Sequence, residues 1–245
     1  MDYSRTLLYA EGLFETILWK GENKKIKRHY ERLLKSAIYF DLPYPSYEDF
    51  ISHIKDVAGI EEGIYIKYCL LSQGEMLFYD KSKSFNYKVI KAPLPKTPTK
   101  VTLTFSPFKY HSENPIIYHK TMNYLFNITV KRDALKRGFY DGIIKNEKEC
   151  VCECSTSNIL IYDGKTLITP KRESGLLFGT TLQCLIENLD IKEQQINTHD
   201  LLDAKSIYIL NSIIGVLPVI AIDKKSYKID KIILNECRNV LSKEN

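Results

Sequence analysis

No stretch of this chain approaches the roughly 18 consecutive apolar residues that a membrane-spanning helix requires, and Met1 to Leu8 has neither the apolar centre nor the small-residue cleavage site of a secretory signal. The reading is therefore a cytoplasmic protein. Charge of one sign is not in excess either: 35 Lys and Arg face 30 Asp and Glu, interspersed along the chain, so composition makes no case for nucleic acid. Lys24, Lys25 and Lys27 read as a solvated turn whose local positive field tolerates an anionic substrate. Six cysteines, at positions 69, 150, 152, 154, 184 and 237, are too few and too scattered for a disulfide framework. Reduced thiols are expected. The alternation of Cys150, Cys152 and Cys154 predicts one shared strand face. Such a face suits a soft metal, but small buried core side chains are the commoner cause, and no metal is assigned.

What is present is a globular sequence, 44% hydrophobic over 245 residues, enough for one large domain or two modest ones. Leu13 to Trp19 is rich in β-favouring residues and ends at Lys20-Gly21-Glu22-Asn23, which predicts a strand and a turn. From Lys27 to Phe40, Tyr30, Leu33, Leu34, Ala37 and Ile38 recur at helical spacing. Ser46, with Asp49 three residues on, predicts the cap of a second helix through Val57. Strands are expected at Ile64–Leu71, Tyr87–Lys91 and Lys100–Phe105. The three prolines of Ala92 to Thr99 predict an extended connection. A helix from about Met122 to Arg137 should end at Gly138, in a left-handed conformation. Short strands are expected at 143–145, 151–154, 158–162 and 167–168, with Asp163-Gly164 as a hairpin turn. A helix at Thr180–Leu189, strands near 207–210 and 217–222, and a helix at Asp230–Leu241 complete the order. Strands in runs, without strict βαβ alternation, indicate an α+β fold.

Chemistry concentrates in two stretches. His119-Lys120-Thr121-Met122-Asn123-Tyr124 sets a lysine at the expected entry of a helix. Taken alone it reads as a surface charge. Val151-Cys152-Glu153-Cys154-Ser155-Thr156-Ser157-Asn158 puts a carboxylate inside an apolar strand, where burial without a partner is costly. A structural ion pair with Lys or Arg is its ordinary explanation.

Together these residues resemble the class IV aminotransferases. The pattern is K-T-x-N-Y at Lys120–Tyr124, A-x-x-x-G at Ala134–Gly138 and E-x-S-x-S-N at Glu153–Asn158. It extends to Gly12-Leu13-Phe14-Glu15-Thr16, His29-Tyr30-Glu31-Arg32-Leu33, Thr169-Pro170, Gly175 to Thr181, Asn211-Ser212, Gly215 and Pro218-Val219.

The resemblance implies a two-subdomain, fold type IV enzyme of the D-amino-acid aminotransferase-like kind that depends on pyridoxal 5′-phosphate (PLP). A small N-terminal α/β subdomain would cover 1–93, a connection leading to the active site 94–118, and a larger β-rich C-terminal subdomain 119–245. It makes Lys120 the Schiff-base lysine and proton shuttle, and Glu153 the partner of the pyridine nitrogen, which keeps the ring protonated as an electron acceptor. Arg32, Thr180, Thr181 and Ser212 beside Asn211 would hold the phosphate, by a guanidinium fork, a helix N-terminus and a hydroxyl. Tyr124 either donates to the cofactor's phenolic oxygen or packs on the helix. His111 and His119 are secondary acid/base candidates.

The stretches 12–16 and 211–219 look most like the 4-amino-4-deoxychorismate lyases. They imply formation of 4-aminobenzoate and pyruvate, for folate synthesis, by a homodimer. The alternatives are a branched-chain or D-amino-acid aminotransferase and a non-catalytic remnant of the fold. The sequence departs from the family at several places. Eleven residues precede Gly12 where relatives carry a further hairpin, Ala10-Glu11 replaces Gly-Asp, and Leu182 stands where an arginine is common. No arginine follows Gly74 to take a substrate carboxylate, which leaves Lys81 or Lys83 as substitutes.

Overall fold

The computed structural model describes residues 3–244, which divide into two compact units. The first comprises residues up to Lys96 together with His119–Tyr124, and the second comprises Thr97–Tyr118 and Leu125–Glu244.

In the first unit the order is β1 (Tyr3–Ser4), α1 (Arg5–Tyr9), β2 (Gly12–Trp19), α2 (Lys24–Tyr39), α3 (Tyr47–Ala58), β3 (Ile64–Gly74) and β4 (Ser82–Ala92). The long β3 pairs antiparallel with β2 from Ile64 to Leu71, with β1 at Gln73 and Gly74, and with β4. Leu13 and Ile17 stand opposite Leu70 and Ile66. Together with Leu33, Ala37, Phe50 and Ile54 of the two helices they form one buried cluster. Alternation along β2 therefore sends Leu13, Glu15 and Ile17 toward the helices and Phe14 and Thr16 to the other face. Ser46 accepts from the Asp49 amide at 3.1 Å, as its position predicts.

The second unit contains β5 (Val101–Tyr110), α4 (Leu125–Lys136), β6 (Asp141–Asn146), β7 (Val151–Cys154), β8 (Asn158–Tyr162), β9 (Leu167–Pro170), α5 (Thr180–Asn188), β10 (Ile191–Gln194), α6 (Thr198–Asp203), β11 (Ser206–Asn211), β12 (Gly215–Ile222), β13 (Lys225–Ser226) and α7 (Lys231–Lys243). The strands lie in the order β10-β9-β8-β11-β12-β5-β6-β7, with β13 on β12. The sheet curls until its ends meet: Val151 N–H donates to Ile196 C=O, just past β10, at 2.8 Å. Leu103, Ile143, Cys154, Ile159, Ile207 and Val219 belong to one buried cluster, and Leu182, Leu185, Leu234 and Cys237 of α5 and α7 pack with Leu160 and Tyr208 in another.

The mixed α+β architecture stands as expected. Gly138 ends α4 at φ +84, and Asp163 accepts from the Lys165 and Thr166 amides at 2.7 and 2.8 Å in its turn. Two local expectations are corrected. The helix begins at Leu125, not Met122, because 119–122 is extended and adds to the edge of β2: Phe14 N–H donates to Lys120 C=O at 3.0 Å and Met122 N–H to Gly12 C=O at 2.9 Å. That pairing also groups Lys120 with the first unit. The cysteines do not share one strand face. A register shift opposite β7, between Ile144 and Lys145, leaves Cys154 with Val151 in one cluster and Cys152 with Tyr110 and Val130 in another. All six cysteines are free thiols and buried. Among the described residues, no helix is long and apolar enough to cross a membrane.

Candidate active site

In the first unit, the face of β2 that looks away from the helices carries the lysine. Lys120 Nζ lies 4.4 Å from the centroid of the Phe14 ring and 5.6 Å from that of Tyr124, and the two rings meet edge to face at 5.0 Å. Tyr124 thus packs on Phe14. Lys67 of β3, paired with Thr16 in register, places its own Nζ 4.4 Å from the same Phe14 centroid. The two ammonium groups therefore stand within twice that distance of each other, and among the described residues no carboxylate pairs with Lys67. Sequence reading passed over Lys67, because one lysine in an alternating strand looks like a solvated charge until register puts it beside Phe14. Lys81 and Lys83, the sequence candidates for a substrate carboxylate, are instead exposed and bonded to Asp41 and Glu75.

On the helix side of the same strand, Glu15 is 1% exposed. Arg32 Nε donates to its Oε1 at 2.8 Å and Arg32 Nη2 to its Oε2 at 2.5 Å, while His29 Nδ1 lies 2.6 Å from Oε2. Burial alone pushes the Glu15 carboxyl up, but the charge of Arg32 and the hydrogen bond and charge of His29 outweigh it and bring it down to about 2. Burial pushes His29 down, against the pull of Glu15. An ionised carboxylate can only accept, so the proton between the two sits on Nδ1 and His29 donates. His119 stacks between Tyr39 and Phe40 with Nδ1 on Ser36 Oγ at 3.0 Å, which makes it a packing residue of α2.

In the second unit, Glu153 of β7 is 6% exposed. Tyr110 O–H reaches its Oε1 at 3.5 Å, and Asn158 Nδ2 donates to its Oε2 at 3.3 Å and to Leu177 C=O at 2.8 Å. Asn127 Nδ2 in turn donates to Tyr110 Oη at 3.1 Å. An amide and a phenol thus donate to the carboxylate. Asn158 also abuts the start of α5: a Cβ at Gly179 would collide with Asn158 Oδ1. A larger residue there would displace the Asn158 side chain, and glycine leaves α5 to open with no side-chain cap, on the buried Thr180 and Thr181. Asn211 is fully committed. Its Oδ1 accepts from the Ile213 and Ile214 amides at 2.9 Å each, and its Nδ2 donates to Thr156 C=O and Ser157 Oγ at 3.0 and 3.1 Å. It therefore shapes the turn that bears Ser212 and has no side-chain bond to spare for a cofactor. His111 accepts from the Glu113 amide at 3.4 Å within its own turn.

The amino-transferase class IV family model matches residues 12–222. A Rickettsia felis protein described as a probable branched-chain-amino-acid aminotransferase is 25% identical over 240 residues, 92% of this chain and 82% of its own length. The aminodeoxychorismate lyase of Bacillus subtilis is 29% identical over 113 residues, 44% of this chain and 39% of its own. Among solved structures, a Legionella pneumophila protein described as a candidate 4-amino-4-deoxychorismate lyase matches in fold with a TM-score of 0.92 at 23% identity, over 99% of this chain and 94% of that one. The branched-chain aminotransferase of Thermoproteus uzoniensis, solved with norvaline, matches with a TM-score of 0.89 at 25% identity, over 99% and 89%.

Proposed function

This chain belongs to the class IV aminotransferase family, whose enzymes depend on PLP, and from that premise we propose that it is a lyase converting 4-amino-4-deoxychorismate to 4-aminobenzoate and pyruvate. The residues present fit the cofactor. Two N–H donors of Arg32 go to Glu15, and for its other three no acceptor occurs among the described residues. The start of α5, where Gly179 supplies no side-chain cap, is a helix N-terminus of the kind that favours an anion. Glu153 is a buried carboxylate bonded by Tyr110 and Asn158. When bound, the cofactor supplies a conjugated ring that accepts the electron pair left as a bond at the substrate Cα breaks.

In this reading Arg32, Thr180, Thr181 and Ser212 bind the phosphate, and Asn211 positions Ser212. Glu153 holds the proton on the pyridine nitrogen. Lys120 anchors the cofactor and takes the proton from the amino-bearing carbon of the substrate. Loss of that proton and departure of the neighbouring enolpyruvyl group as pyruvate leave an aromatic ring, whose stability drives the step. The Tyr124 hydroxyl is the candidate donor to the cofactor's phenolic oxygen. The observation that carries the choice of substrate is Lys67, near Lys120 and with no carboxylate partner among the described residues, which suits a substrate bearing carboxylates.

A homodimer belongs to the same reading. Met76, Leu77, Phe78 and Tyr79 are each at least half exposed on the loop between β3 and β4, an apolar tip that a second copy would cover.

The relative from Rickettsia felis favours a second reading, amino transfer from branched-chain amino acids. Both are tested by supplying 4-amino-4-deoxychorismate to the PLP-loaded protein and assaying 4-aminobenzoate and pyruvate, with Lys120→Ala as control. Stoichiometric release of both products, abolished by the substitution, is the expected result. Amino transfer to a 2-oxo acid without 4-aminobenzoate overturns the lyase and supports the second reading.

A further inference from the structure

Two buried residues of the first unit have no part in the steps above, yet they determine how Arg32 is presented. Glu15 takes the Nε edge of the guanidinium side-on, through Nε and Nη2, and leaves the Nη1 end and the second Nη2 hydrogen facing away. His29 bonds Glu15 Oε2 from α2, one helical turn before Arg32. An arginine side chain otherwise samples many rotamers. Here a strand carboxylate, itself braced by the Nδ1–H of His29, fixes one rotation of the fork.

We propose that Glu15 and His29 are positioning residues that hold the Arg32 guanidinium ready as an end-on fork for an anionic phosphate. This rests on the reading of Arg32 as the phosphate-binding arginine. The arrangement lowers the ordering cost of phosphate binding, because the side chain is immobilised before the ligand arrives. A simple charge argument gives the opposite sign. Glu15 neutralises Arg32, so removing the carboxylate should strengthen the attraction for a dianion. The two accounts are therefore separable by the direction of one measurement.

The test compares binding of PLP with binding of pyridoxal, which lacks the phosphate, to the apoprotein in four variants: Arg32→Gln, Glu15→Gln, His29→Ala and His29→Asn. Asn keeps a donor near the position of Nδ1. Glu15→Gln and His29→Ala should raise the Kd for PLP about three- to tenfold and leave that for pyridoxal unchanged. His29→Asn should restore most of the affinity, and Arg32→Gln should give the largest PLP-selective loss. Equal losses for PLP and pyridoxal in the Glu15 and His29 variants would mean general damage and overturn the proposal. So would tighter or unchanged PLP binding in Glu15→Gln while Arg32→Gln remains selectively weak, a result that leaves the phosphate reading intact. If Arg32→Gln itself does not distinguish the two ligands, that reading falls and the positioning role falls with it.

Discussion

Replacing Lys67 with methionine isolates the contribution of its charge, since the unbranched stem that runs over Phe14 is largely kept. A hydrogen bond to a charged group contributes about 1.5–3 kcal/mol. At about 1.4 kcal/mol per factor of ten, loss of one such bond to a substrate carboxylate should lower kcat/KM about 10- to 150-fold. The Nζ of Lys67 is 4.4 Å from the Phe14 centroid, as is that of Lys120, so on the proposed reading the missing charge is felt where substrate would meet the Lys120 amine. Held equally in the ground and transition states, the carboxylate contact should appear mainly in KM. Lys67→Arg, which keeps the charge with a different shape, should recover part of the loss. Steady-state assay of 4-aminobenzoate release at saturating PLP measures each parameter, and PLP titration serves as control. A Lys67→Met enzyme with kcat/KM within about twofold of wild type would refute the carboxylate role, and one with weakened PLP binding would refute the separation of the two anion sites.

Three further outcomes are expected. Gly179→Ala would drive a methyl into Asn158 Oδ1, so Asn158 must release Glu153 or Leu177; a stability loss of about 1–3 kcal/mol, with weaker PLP binding, should be seen by denaturation and titration. Ala10 holds φ +56 at the C-cap of α1, so Ala10→Gly should raise stability by up to about 1 kcal/mol in urea unfolding. The Glu15 carboxyl sits at about 2 in the folded chain against 4.5 as its ordinary value. A depressed acid stabilises fully above its unfolded pKa and loses that contribution as pH falls through its folded one. Wild type should therefore be more stable than Glu15→Gln at pH 7, with the gap closing between about pH 4.5 and 2; a gap constant with pH would count against an ionised Glu15.

Periodicity exposed most of the elements because their buried faces repeat regularly: α2 carries Leu33 and Ala37 into the core, and the last helix buries Leu234, Cys237 and Leu241. It failed where pairing overrides local preference. Met122 to Tyr124 continue a helical-looking pattern, yet the segment up to Met122 pairs with the free edge of β2 and Tyr124 N–H then turns back onto Met122 C=O. Short segments such as α1, β10 and α6 have too few residues for a period to show. Motif order pointed to Lys120, Glu153 and Arg32, but side-chain partners between distant elements cannot be read from spacing. Glu15 and His29 are 14 residues apart on different elements, and their bond follows only once β2 lies beneath α2. The register that aligns Lys67 with Thr16 was equally invisible. The full commitment of Asn211 to its turn depends on backbone that folds back from Thr156.

Curling of the larger sheet has a bearing on how the protein behaves in a crowded solution. With Val151 bonded to Ile196, β7 spends hydrogen-bonding capacity that an open border would offer to passing strands, and segment 119–122 likewise occupies one border of β2. The outer border of β4 stays unpaired among the described residues, and its sequence places Lys83, Lys88 and Lys91 along it. Those ammonium groups discourage strand-to-strand association there, so replacing them with neutral residues would tend to convert a soluble rim into a template for fibrous growth.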